Sequence, residues 1–132
     1  MRGCNLGHPE FSNKIWVNPR EICNDGIDND GNGFVDDCHG WINILTFSWI
    51  DFVNDDNVVE PSSSGHGTAS ASIIAAASNN VIGISGICWG CVIMCLKFIG
   101  EGHGTVSDQV QAIDYAVRMG ARISNNSYGG YG

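Results

Sequence analysis

His66 stands between two glycines, Gly65 and Gly67, and is followed by Thr68. An imidazole has an unperturbed pKa of about 6.5, so near neutral pH it can take a proton from a nucleophile as a general base. The flanking glycines let another group approach the backbone closely. The plainer reading is a histidine that caps or closes a loop. A second group of chemistry-bearing residues lies between Cys23 and Cys38. Asp28, Asp30 and Asn32 alternate, Gly33 and Phe34 follow, and Asp36 and Asp37 come next. Hard oxygens at alternate positions of a turning chain converge on one cation. The order follows the first nine positions of a calcium loop, with the Phe34 carbonyl and Asp36 or Asp37 as the later ligands. His39 stands where such a loop ends in Glu, so a complete helix-loop-helix site is not implied. The other reading is a solvated acidic turn, although close carboxylates repel when no cation lies between them.

These residues need elements to hold them. Thr68-Ala69-Ser70-Ala71-Ser72-Ile73-Ile74-Ala75-Ala76-Ala77 predicts a helix whose contact face admits only small side chains. Val92 to Ile99 is a continuous apolar run, as in a strand buried on both faces. Thr105 is placed to cap the next helix, with Asp108 in its first turn. Val106, Val110, Ile113 and Val117 recur at helical spacing, Gly120 ends the helix, and Arg122 to Ser127 forms the next strand. Strand, helix, strand over this length is a right-handed parallel crossover.

Six cysteines are many for 132 residues. Cys23 and Cys38 flank the acidic loop and are expected to be bridged, which suits an oxidising compartment. Cys88 and Cys91 have the spacing of half a zinc knuckle or of a redox pair. No second knuckle is present, and small buried thiols are the expected reading. The net charge of −8, with acids concentrated from Glu21 to Glu60, argues against nucleic acid as a partner. No apolar run approaches the ~20 residues of a membrane span. The opening Met1-Arg2-Gly3-Cys4 lacks the residue pattern of a secretory leader. The length allows one ordinary domain at most.

The ordered series resembles the subtilisin-like serine peptidases, the subtilases. It comprises His66-Gly67-Thr68, the small-residue helix, Asn79-Asn80-Val81-Ile82-Gly83-Ile84-Ser85-Gly86, a strand with Leu96-Lys97, a helix, and Ser127-Tyr128-Gly129-Gly130. His8-Pro9-Glu10-Phe11 looks like that family's His-Pro-Asp-Leu. The resemblance implies an α/β fold. Residues 1–132 would be part of a doubly wound, three-layer parallel-sheet domain, truncated at both ends. Two insertions are set in it, a calcium loop at 23–38 and an atypical apolar segment at 42–50.

The resemblance also implies roles. His66 would be the catalytic base of a serine endopeptidase acting by acyl transfer on polypeptides. Its Asp partner would fall at Met1, which has no carboxylate, and the Ser nucleophile and oxyanion donor would lie beyond residue 132. The chain alone is therefore expected to be inactive and only marginally folded. Ser127, Tyr128 and Gly129 would pair with the substrate backbone. Ile99 and Gly100 would form the opposite wall of the cleft. A family calcium site would use the carbonyls of Ser78, Ile82 and Ile84, the Asn80 side chain and the Glu10 carboxylate. Secretion is the expected location. The alternative function is a non-catalytic relative that binds peptide or calcium.

Overall fold

The computed structural model describes residues 4–5, 7–23, 25–38, 50–51, 65–99 and 104–129. A 3-10 turn at Pro9–Phe11 is followed by β1 (Ile50–Asp51), α1 (His66–Ala75), β2 (Leu96–Lys97) and α2 (Val106–Arg118). The expectations at Met1 and Gly100, and all of the apolar segment at 42–50 except Ile50, lie outside the described residues.

The ladder that forms is parallel but short. Ile50 pairs with Leu96 and Asp51 with Lys97. Upstream on the same segment, Ile93 makes a parallel bridge to Ile15, through Trp16 N–H to Ile93 O at 2.9 Å and Ile93 N–H to Lys14 O at 2.7 Å. Residues 93–97 thus take parallel neighbours from two separate parts of the chain. The long buried strand expected over Val92 to Ile99 is reduced to this stretch, and Val92 itself is exposed. The strand expected over Arg122 to Ser127 is not formed. A strand exists only through its ladder, no described residue pairs with this one, and residues 121–127 are exposed.

α1 follows its sequence closely. Gly65 precedes it with φ at 59°, a left-handed conformation natural to glycine. Gly67, Ala71 and Ala75 form its buried side. Small side chains there let the helix approach Cys4, Phe11 and Cys95, which are buried in one cluster with Ala71. α2 starts with a full capping box. The Thr105 hydroxyl accepts from Asp108 N–H at 3.1 Å, and the Asp108 carboxylate accepts from Thr105 N–H at 3.2 Å. Gly120, at φ 82°, lies just past its end. The buried face of α2 carries Ala112 and Tyr115, with Met119 at the cap. They join Phe98 in a second cluster, while Val106, Val110, Ile113 and Val117 are exposed.

All six cysteines are paired. Cys23–Cys38 closes the acidic loop as expected, and Cys4–Cys95 joins positions 91 residues apart. Cys88 and Cys91 are bonded to each other and half-buried, which corrects the expectation of buried thiols. A turn with Cys91 N–H on Cys88 O brings the two together.

Candidate functional site

His66 occupies the first turn of α1 and is exposed to solvent. Two residues on, the Thr68 hydroxyl accepts the Asn5 N–H at 2.8 Å. That bond ties the first turn of the helix to the N-terminal segment, and the Cys4–Cys95 bridge anchors the neighbouring residue. The small-residue face fixes the other side of the helix. The imidazole is therefore presented from a rigid element. The position assigned to its carboxylate partner, Met1, lies outside the described residues.

The structure brings Glu10 together with the segment from Ser78 to Ile84. Glu10 is 3% exposed. Its carboxylate accepts from Ile84 N–H at 2.9 Å and from Asn80 Nδ2 at 3.3 Å, and its carbonyl accepts from Ala77 N–H at 2.7 Å. Asn79, Val81 and Gly83 all have positive φ, so the segment coils on itself as a bulge. A methyl group built on Gly83 would overlap the Glu10 carboxylate. Ser78 is placed at the edge, with its hydroxyl on that of Ser85 at 2.7 Å. Asn80 Oδ1 also accepts from Ile82 N–H at 3.4 Å.

In the loop closed by Cys23–Cys38, the residues chosen from the sequence divide into two groups. Asp28 and Asp30 converge, and the third carboxylate beside them is Glu21, their ligand atoms lying within 4.8 Å of one another. Asp28 accepts from the Asn32 and Gly33 N–H groups at 3.1 and 2.8 Å. Asp30 accepts from Asn32 N–H at 3.1 Å and lies 3.5 Å from the Arg20 guanidinium. Glu21 Oε1 accepts from the Asn29 and Asp30 N–H groups at 2.8 and 3.0 Å. Its Oε2 is sheltered from water and has no hydrogen-bond partner. Burial pushes the Glu21 carboxyl above the usual carboxylate range. The Asp30 and Asn29 N–H groups oppose that shift, and the Asp37 and Asp30 charges reinforce it.

The other acids are engaged elsewhere. Asp36 accepts from the Asp25 and Gly26 N–H groups, both at 3.0 Å, and so clasps the start of the loop. Asp37 is fully buried and accepts from Asn18 Nδ2 and Asn32 Nδ2 at 2.6 Å each and from the Tyr115 hydroxyl at 2.7 Å. Asn32 Oδ1 takes the Phe34 N–H at 2.7 Å, and the Phe34 ring packs edge-on against Tyr115. Burial, then the Asp37 carboxylate, hold the Tyr115 phenol protonated far above its usual range.

Glu21 was missed from the sequence because it lies before Cys23, outside any continuous calcium-loop template. Its signal would have been an acid just ahead of a cysteine that closes the loop. Tyr115 and Asn18 left no such signal, since their roles come from tertiary contact alone.

The segments expected to form the two cleft walls meet in one place. Tyr128 and Ile99 pack on the cluster of Phe98, Ala112, Tyr115 and Met119. The Tyr128 ring meets Phe98 edge-on, its centroid 4.9 Å away. Its hydroxyl accepts from Gln109 Nε2 at 2.7 Å and donates to Asn126 Oδ1 at 3.1 Å. Ser127 accepts from Asn125 Nδ2 at 2.8 Å, and Gly129 is exposed with open space on its side-chain face.

A profile of the subtilase family matches residues 2–131. The chain is 33% identical to subtilisin-like protease 1 of Plasmodium vivax over 134 residues, covering 96% of this chain and 19% of that protein. It is 33% identical over 111 residues to the halolysin-like extracellular serine protease Nep of Natrialba magadii, covering 82% of this chain and 20% of that protein. Thermitase of Thermoactinomyces vulgaris is 36% identical over 81 residues, covering 61% of this chain and 29% of that protein. The chain thus spans about a fifth of the length of the first two of these relatives. It belongs to the subtilase family, whose fold is α/β and whose relatives include proteins named as serine proteases.

Proposed function

We propose that this chain is the His-bearing, calcium-binding part of a subtilisin-like serine endopeptidase that acts on polypeptides. The observation that carries the reading is His66, exposed at the start of a helix whose opposite side is locked by Gly67, Ala71 and Ala75. In acyl transfer, the imidazole takes the proton of a serine hydroxyl as it attacks the peptide carbonyl. It then gives that proton to the leaving amine. Tyr128 and Gly129 support a substrate edge, one held by Gln109 and the other leaving room for an extended peptide.

Calcium fits the residues of both loops. Glu21, Asp28 and Asp30 supply a set of oxygen donors, and the sheltered, unpartnered Glu21 Oε2 is an atom that a hard cation would satisfy. Glu10, with Asn80 and the carbonyls of Ser78, Ile82 and Ile84, offers a second oxygen-rich place. A bound cation there would fix the loops that hold the cleft. Three disulfides, and relatives named as extracellular proteases, support secretion.

The test is a peptidase assay of the longer protein that contains this chain. His66→Ala should lower kcat/KM by at least about 10³-fold with little change in fold. Activity within a few-fold of the parent would remove His66 as the base.

A further inference from the structure

We propose that the Cys88–Cys91 disulfide is a redox-active site that exchanges reversibly with a dithiol while the other two disulfides stay closed. The inference does not depend on the peptidase reading.

The three bonds differ in what holds them. In Cys4–Cys95 both residues are buried at 1% exposure or less, and the bond spans 91 residues. In Cys23–Cys38 the first residue is exposed but the second is fully buried, and the bond spans 15 residues. A cross-link over a long loop removes much freedom from the unfolded chain, and a buried sulfur cannot be reached in line by a thiolate. Cys88–Cys91 spans only 3 residues, and both of its cysteines are half-exposed. It contributes least to restraining the chain, and it is the one disulfide of the three with no buried cysteine.

Its surroundings suit exchange. Trp89 and Gly90, between the cysteines, are both exposed, and no atom lies within 4 Å of the side-chain face of Gly90. The Lys14 ammonium donates to the Trp89 carbonyl at 2.5 Å, which sets a positive charge on the turn where a thiolate would form. The backbone around the turn is held independently of the bond. Cys88 N–H donates to Ile74 O at 2.8 Å and Ile87 N–H to Ile73 O at 3.0 Å, while Ile93 pairs with Lys14 and Trp16. Opening the disulfide therefore leaves two thiols on a fixed frame, close enough to close again.

The exchange balances. One thiolate of the dithiol attacks a cysteine sulfur, the Cys88–Cys91 bond breaks, and the other cysteine leaves as a thiolate and takes up a proton. The second thiolate of the reagent then attacks the mixed disulfide. The reagent becomes a cyclic disulfide, and the remaining cysteine is released and protonated. Two electrons pass from the dithiol to the protein.

The experiment is native-state titration of the oxidised longer protein that contains this chain with dithiothreitol, followed by an acid quench, alkylation and peptide mapping, then a second step with oxidised dithiothreitol. Cys88 and Cys91 should be labelled at dithiol concentrations at least about tenfold below those that label the other four cysteines. Both should lose that label after the oxidised reagent. Labelling of all three pairs together, or labelling of Cys88 and Cys91 that oxidised reagent does not reverse, would overturn the proposal.

Discussion

The Tyr115 hydroxyl, in the middle of α2, donates a 2.7 Å hydrogen bond to Asp37, which is buried at the base of the acidic loop 78 residues earlier in the chain. This bond joins the helix beneath the expected substrate edge to the loop expected to bind calcium. Tyr115→Phe should lower stability by about 2 kcal/mol, since it removes a buried hydrogen bond to a charged acceptor. Urea unfolding gives the value. The pH dependence has a definite sign. The folded phenol keeps its proton where the unfolded one, with a pKa of about 10, releases it. That contribution to stability is complete below about pH 10 and declines as pH rises beyond it. In Tyr115→Phe this part of the alkaline decline should disappear, and an unchanged alkaline limb would contradict the assignment.

Calcium affinity should separate Glu21 from Asp36. Glu21→Gln removes one of three converging carboxylates, so calorimetry should show binding at the loop weakened by roughly tenfold or more. Asp36 instead clasps the Asp25 and Gly26 N–H groups. Asp36→Asn should therefore loosen the turn and cost less affinity than Glu21→Gln. The reverse order would move the cation away from Glu21.

Gly83→Ala should disturb the bulge. Its φ of 52° strains any L side chain, and the added methyl would displace the Glu10 carboxylate from the Ile84 N–H. A loss of about 1–3 kcal/mol is expected. Thermal unfolding midpoints equal to those of the parent would show that Glu10 can leave its place freely.

Gln109→Leu tests the expected substrate edge. It removes the donor that holds the Tyr128 hydroxyl but keeps the side chain's bulk. In the longer protein, KM for peptides should rise several-fold with kcat little changed, because the loss is of binding held equally in ground and transition states. A fall in kcat at constant KM would point to a different role.

Much of the local structure was legible in the chain. The cap at Thr105 and Asp108, the helix stop at Gly120 and the small-residue face of α1 depend on neighbours in sequence, and all three formed. The face of α2 was not legible. Its valine stripe marks a helix, yet Tyr115 and Ala112 are the residues buried, because Phe98 and the acidic loop pack on their side. Glu21 and the Cys4–Cys95 pair escaped for a related reason. Each acts with a partner whose proximity is created by the fold, and no spacing rule reaches that far.

The long disulfide also bears on how the protein matures. Cys23 meets Cys38 within 15 residues and Cys88 meets Cys91 within 3, so both pairs can close almost as soon as they emerge from a ribosome. Cys4 must wait for a partner 91 residues behind it. At synthesis rates of roughly 5–20 residues per second, that wait lasts on the order of ten seconds. During it, Cys23 and Cys38 are the nearer thiols. Prompt closure of the acidic loop therefore protects Cys4 from the wrong match. Biosynthesis without it would place the heaviest demand on disulfide isomerisation at Cys4.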